Sequence, residues 1–142
     1  MKKYVIDASV VLKWYFPDEE GKEKALELYK LYIGNGVNFC APSLLDYEVI
    51  NAISIAVRRK RVGEDSANKF FIHYSEIEIE KVECKSYREE AFNISKTYSR
   101  SFYDSCYLAL ALNQGIPFVT GDKKLYHSVN DKFPLLTWIE DI

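Results

Sequence analysis

The sequence predicts an α/β protein, three layers deep, with helices on both faces of a parallel sheet. Five short strand-like stretches, Tyr4–Ile6, Val37–Ala41, Ile77–Val82, Phe118–Thr120 and Leu135–Trp138, are spread through the chain. Helical patterns separate them, most of ten or more residues, as βαβ units require. The first stretch ends in an acid, Asp7, and in open α/β sheets the C-terminal strand ends face the ligand crevice.

Composition narrows the function classes. The 142 residues suit a single domain spanning 1–142, with 48% hydrophobic and 28% charged residues, an ordinary globular balance. No apolar run approaches the roughly 20 residues of a membrane span, and Asp7 interrupts any apolar leader, so a cytoplasmic protein is expected. Cys40, Cys84 and Cys106 lie far apart, as do His73 and His127, which argues against zinc and for cysteines packed in a reduced interior. A net charge of −2 argues against a protein held on nucleic acid by bulk positive potential.

The elements follow in order. Ser9 is a candidate N-cap for a short helix, Val10 to Phe16, that Pro17 stops. Trp14 on that helix is a candidate for a partner surface. Asp18-Glu19-Glu20 opens a second helix with favourable charge at its N-terminus, and Gly34-Asn35-Gly36 ends it. After Val37–Ala41, Pro42-Ser43 opens a long helix to about Arg61. Another helix runs from Glu64 to about Ser75. Ile77 to Val82 alternates apolar with acidic residues, the pattern of a half-buried strand near an edge. A helix from about Ser86 to Tyr98 breaks at Ser99-Arg100-Ser101. A strongly apolar helix, Phe102 to Asn113, is stopped by Gly115. Phe118–Thr120 turns at Gly121-Asp122 into a short helix through Val129, and Leu135–Trp138 is the last strand.

Four acids stand out. Glu48 leaves the long helix from within or beside its apolar stripe of Leu44, Leu45, Val49, Ala52, Ile53 and Ala56, with Asn51 on the same face, whereas Asp46 points the other way, to solvent. Asp104 opens the apolar helix on a face continued by Leu108 and Ala111. Asp7 and Asp122 follow strands. Asp104 and Asp122 alone have a simpler reading as helix caps, and Asp7 as a turn residue. Together, three of them lie just at or after strand C-termini or at the first turn of a following helix, which in a parallel sheet is one edge of the molecule. Four ionised carboxylates within about 5 Å would repel by roughly 3 kcal/mol per pair at an effective dielectric near 20. Either some are protonated, or a cation belongs among them. Hard oxygen donors with no His or Cys nearby select Mg²⁺ or Mn²⁺, ions suited to phosphodiester hydrolysis. Ser9 and Thr120 are the hydroxyls placed to orient such a site.

Val5-Ile6-Asp7-Ala8-Ser9, Glu48-Val49-Ile50-Asn51-Ala52, Tyr103-Asp104-Ser105-Cys106-Tyr107-Leu108-Ala109-Leu110-Ala111 and Val119-Thr120-Gly121-Asp122 resemble the successive motifs of PIN-domain ribonucleases, in order and over nearly the whole chain. The length resembles that of the VapC-type toxins. The resemblance implies a five-stranded parallel sheet and a Mg²⁺- or Mn²⁺-dependent endoribonuclease that leaves a 5′-phosphate. In it Asp7 and Asp104 would be the main metal ligands, completed by Glu48 and Asp122. It also implies a homodimer and inhibition by a small cognate antitoxin.

Arg58-Arg59-Lys60-Arg61 at the end of the long helix favours the helix dipole, or supplies Arg58, Arg59 and Arg61, with Lys123, to RNA phosphates. Tyr103 and Tyr107 are candidates to reach the crevice. Three rivals share parts of this pattern. An aspartyl-phosphate enzyme would need a second acid after Asp7-Ala8 and lacks it; a non-catalytic binding module would have lost one of the four acids and has not. A cellular PIN nuclease of RNA processing shares the chemistry and differs in biology.

Overall fold

The computed structural model describes residues 1–16 and 18–142, so the expected stop at Pro17 lies outside the described residues. Strands β1 (Lys2–Ile6), β2 (Val37–Pro42), β3 (Ile79–Val82), β4 (Phe118–Thr120) and β5 (Leu136–Trp138) form one sheet in the order β3-β2-β1-β4-β5. Every pairing is parallel. From β1 the chain winds outward through β2 to β3, then returns to β4 on the other side of β1 and continues to β5. The change of direction falls between β1 and β4, where Ile6 pairs with Val119. In a parallel sheet this switch point leaves a crevice at the C-terminal strand ends. Asp7 follows β1 and Asp122 follows β4, so strand order alone delivers both acids to it.

Seven helices surround the sheet among the described residues: α1 (Ala8–Lys13), α2 (Lys22–Ile33), α3 (Leu44–Arg58), α4 (Glu64–Glu76), α5 (Arg88–Tyr98), α6 (Phe102–Gln114) and α7 (Lys123–Val129). On one face α1 packs against α2 and α3, and α4 packs on α3; on the other, α6 lies across β1, β2 and β4 with α5 outside it. Right-handed crossovers running in opposite directions place their helices on opposite faces, which produces the three layers. Residues Ser105 through Ala111 of α6 are all buried because sheet and α5 enclose it. Hence its sequence is apolar almost all round. Gly115 ends α6 at φ 66°, a left-handed conformation that glycine adopts without strain. None of these helices is long and apolar enough to cross a membrane.

Several boundaries differ from the sequence expectation for identifiable reasons. α1 begins at Ala8 and is capped by Asp7, not Ser9, because Asp7 Oδ1 accepts from the Val10 N–H. Asp18, Glu19 and Glu20 precede α2, which starts at Lys22 behind Gly21. Those acids instead face cations: Asp18 and Glu19 pair with Arg61 at 2.6 and 3.1 Å, and Glu20 pairs with Lys123 at 2.6 Å. α3 ends at Arg58, and Lys60 turns away at φ 57°, so the helix dipole accounts for Arg58 and not for Arg61. Trp14 is buried, packed at a tilt against Tyr29 and Phe39, with its indole N–H on the Ala25 carbonyl at 2.8 Å. It is core, not a partner surface. Cys40 and Cys106 are buried as expected, whereas Cys84 is exposed. His73 bridges the Tyr15 and Tyr29 hydroxyls at 2.7 Å each, a structural role.

Candidate active site

The crevice is built from β1 and β4 outward. Asp7 is buried, 7% exposed. Its carboxylate accepts from the first turn of α1 and from β4: Ser9 Oγ donates to Oδ1 at 2.5 Å and Thr120 Oγ1 donates to Oδ2 at 2.6 Å. The two hydroxyls are themselves held in place, Ser9 by the Gly121 N–H at 2.8 Å and Thr120 by the Asp122 N–H at 3.1 Å. Asp122 caps α7 through Oδ1, which accepts from Leu125 N–H at 3.1 Å. Burial pushes the Asp7 carboxyl up to about 6, against the hydrogen bonds from Ser9, Thr120 and Val10, and the Asp122 charge adds to the rise.

Glu48 and Asp104 form the second pair, contributed by α3 and α6. Tyr107, one turn after Asp104 on α6, donates its hydroxyl to Glu48 Oε1 at 2.5 Å. Burial raises the Glu48 carboxyl above the usual carboxylate range, the Tyr107 bond lowers it, and the Asp104 charge raises it again. The Tyr107 hydroxyl is itself pushed up by burial and by the charges of Glu48 and Asp7. Asp104 does not cap α6; Ser101 does, its Oγ accepting the Asp104 N–H at 3.0 Å. The Asp104 Oδ2 instead takes an ion pair from Arg100 at 2.8 Å, one turn before it. The Arg100 Nε is buried and has no hydrogen-bond partner among the described residues.

The four acids are therefore neighbours in charge, yet each is tied to a donor of its own. Among the described residues no three acid, histidine or cysteine side chains stand close enough together to hold an ion in a ready-made cage. Mutual repulsion and these separate bonds explain the spacing. The donor set still fits a hard divalent cation. Mg²⁺ keeps most of its waters and is held through one or two carboxylates, and the four acids offer only hard oxygen donors, with no His or Cys among them.

The remaining sequence candidates divide. Thr120 and Ser9 sit at Asp7 as expected. Asn51 is exposed and lines a shallow cleft with Leu44, Tyr47, Glu48 and Tyr103. Arg58 and Arg59 are exposed, while Arg61 lies over Phe16 at 4.2 Å and is engaged by Asp18 and Glu19, and Lys123 by Glu20. Asp46 does point away from Glu48, but it accepts from Tyr74 at 2.7 Å and pairs with Lys81 at 2.9 Å instead of standing free in solvent.

Two contributors were not singled out from the sequence. Arg100 lies four residues before Asp104 but outside α6, in the break ahead of its Ser101 cap, so no helical spacing marked the pair. Lys13 is the single charge in the run from Val10 to Phe16, and it is buried, with Glu19 at 3.8 Å and its chain laid across Gly121.

The family model described as the PIN domain matches residues 4–129. The chain is similar to Ribonuclease VapC12 of Mycobacterium tuberculosis, 27% identical over 124 residues, covering 87% of this chain and 90% of that protein. It is also similar to Ribonuclease VapC3 of Pyrobaculum aerophilum, 29% identical over 143 aligned positions, covering 94% and 97%. Among solved structures, the fold is shared with PAE2754 from Pyrobaculum aerophilum, at a TM-score of 0.69 and 19% identity over 98% of this chain and 92% of that one. VapBC2 from Rickettsia felis, solved bound to a DNA fragment from their promoter, gives a TM-score of 0.61 at 15% identity, covering 96% of each chain.

Proposed function

Because this chain belongs to the PIN-domain family, we propose that it is an endoribonuclease, the toxin of a VapBC-type toxin–antitoxin pair. The observation that carries the reading is Asp7: a carboxylate buried at the β1–β4 switch point, bonded on both oxygens, with Asp122 beside it. Such a group is costly to a fold and is characteristic of a functional site. The relatives named as VapC ribonucleases and the VapBC2 neighbour support the same assignment.

We assign Mg²⁺ or Mn²⁺ as the cofactor, with Asp7 and Asp104 as its main ligands and Glu48 and Asp122 completing the site or orienting water. When bound, the ion supplies Lewis-acid polarisation of the phosphodiester and the positive charge that a net-acidic chain lacks. The chain's own residues do the rest. Ser9 and Thr120 fix the orientation of the Asp7 carboxylate, and Tyr107 fixes Glu48. Arg100 balances Asp104, and Arg58 and Arg59 remain open to RNA phosphates. The same reading places the protein in the cytoplasm as a single-domain homodimer, neutralised by a small cognate antitoxin.

The test is cleavage of a labelled transfer or total RNA pool by the purified protein with Mg²⁺, with Mn²⁺ and with excess chelator. Cutting at few sites that chelator abolishes and either ion restores is the expected result. Cutting that persists in chelator contradicts the metal assignment.

A further inference from the structure

We infer that Tyr47 and Tyr103 form a base-binding subsite beside the acids, where an unpaired nucleobase of single-stranded RNA stacks. The inference rests on the ribonuclease reading and names the substrate class for it. Tyr47 is 78% exposed and Tyr103 64%, more than any other aromatic side chain identified as exposed. They belong to α3 and α6, and each immediately precedes an acid, Glu48 or Asp104. Yet both line one shallow cleft of about 620 Å³, with Glu48 and Asn51 in its wall.

Continuity with the acids identifies the occupant. A base held in this cleft lies against Glu48, which puts its phosphate at the crevice. Exposed aromatic rings bind bases by stacking, whatever the sequence, because every base has a π-face. The Asn51 amide offers both a donor and an acceptor to a base edge. Tyr47, Asn51, Ser54 and Arg58 follow at i, i+4, i+7 and i+11, one stripe of α3 about 16 Å long. All four are exposed, and the stripe ends in the Arg58 guanidinium, which donates to Ser54 Oγ at 3.1 Å. An aromatic end beside the acids and a cationic end beyond fit a base and the phosphates that trail from it.

Duplex RNA keeps its base faces in the stack and cannot use such a subsite. A protein partner fits less well, since a Glu and an Arg would enter an interface core from which charges are depleted.

The test is fluorescence anisotropy of a short labelled single-stranded RNA of mixed sequence, titrated with protein carrying Asp7→Asn so that the probe stays whole. Adding Tyr47→Ala or Tyr103→Ala should weaken binding by roughly 5- to 150-fold, and Tyr→Phe at either place by no more than about twofold. An abasic version of the probe should bind weakly and lose nothing further on Tyr47→Ala. Unchanged affinity in both alanine variants overturns the subsite, as does an abasic probe that is equally sensitive to them. A change of oligomeric state on size exclusion with RNA affinity intact also overturns it and gives the cleft to a protein partner. Failure of the ribonuclease reading is read separately, from absence of metal-dependent cutting by the unaltered protein.

Discussion

Thr120 reaches from the end of β4 to Asp7 at the end of β1, its hydroxyl donating to Oδ2 at 2.6 Å across adjacent parallel strands. Thr120 is fully buried, so the bond has no competition from water. Thr120→Val keeps the shape and removes the donor. We expect a loss of about 1–3 kcal/mol in urea denaturation, the usual size for a buried bond to a charged group, and RNA cleavage reduced at least tenfold. Unaltered cleavage would show that Asp7 needs no such positioning.

Asp7 also sets a pH dependence. Burial pushes its folded carboxyl up to about 6, above the ordinary aspartate value of 3.8. The folded state thus holds the proton more tightly than the unfolded chain does, so in the metal-free protein Asp7 costs stability above about pH 6. That cost, about 3 kcal/mol at most, disappears as pH falls from 6 towards 4. Metal-free Asp7→Asn should therefore melt higher than the unaltered protein at about pH 8 and equally at about pH 4. Mg²⁺ needs the ionised form, so its stabilisation of the unaltered protein should be full at about pH 8 and largely lost by about pH 5.

Arg100 and a divalent cation compete for Asp104. Arg100→Met frees the carboxylate and removes a nearby positive charge. Mn²⁺ affinity by calorimetry should rise by about fivefold, the scale of a partly exposed ion pair. Weaker Mn²⁺ binding would mean that Arg100 holds Asp104 in the ligating orientation.

Gly121 and Lys13 are packed as a pair. A Cβ at Gly121 would stand 2.3 Å from Lys13 Cε and 3.0 Å from its Nζ. The clash falls on the far end of the flexible Lys13 side chain, so Gly121→Ala should cost about 1 kcal/mol, the low end of overpacking. In Lys13→Ala, where that space is open, the same change should cost much less, a non-additivity a double-mutant cycle reads directly.

The sheet and the positions of the acids could be read from the sequence because short-range physics fixes them. Strand-sized apolar runs between amphipathic helices leave few topologies, and a parallel order sends Asp7 and Asp122 to one edge. What could not be read was which partner each acid takes. Asp7 capping its own helix, Ser101 capping α6 and Arg100 claiming Asp104 are choices among partners that lie equally near in sequence. The acids before α2 were misread for the same kind of reason: Arg61 and Lys123, remote in sequence, outcompete a helix dipole. Trp14 showed an apolar ring without showing that Tyr29 and Phe39 cover it.

The most direct measurement is cleavage of the RNA pool by the Asp7→Asn protein beside the unaltered one, in Mg²⁺, with both shown folded by circular dichroism. Asn keeps the size and the capping oxygen and removes the charge. Cutting lost in the variant, with 5′-phosphate ends on the fragments of the unaltered protein, is the predicted result. A folded Asp7→Asn protein that cuts the same sites at the same rate would contradict the assignment of the β1–β4 crevice as the catalytic centre.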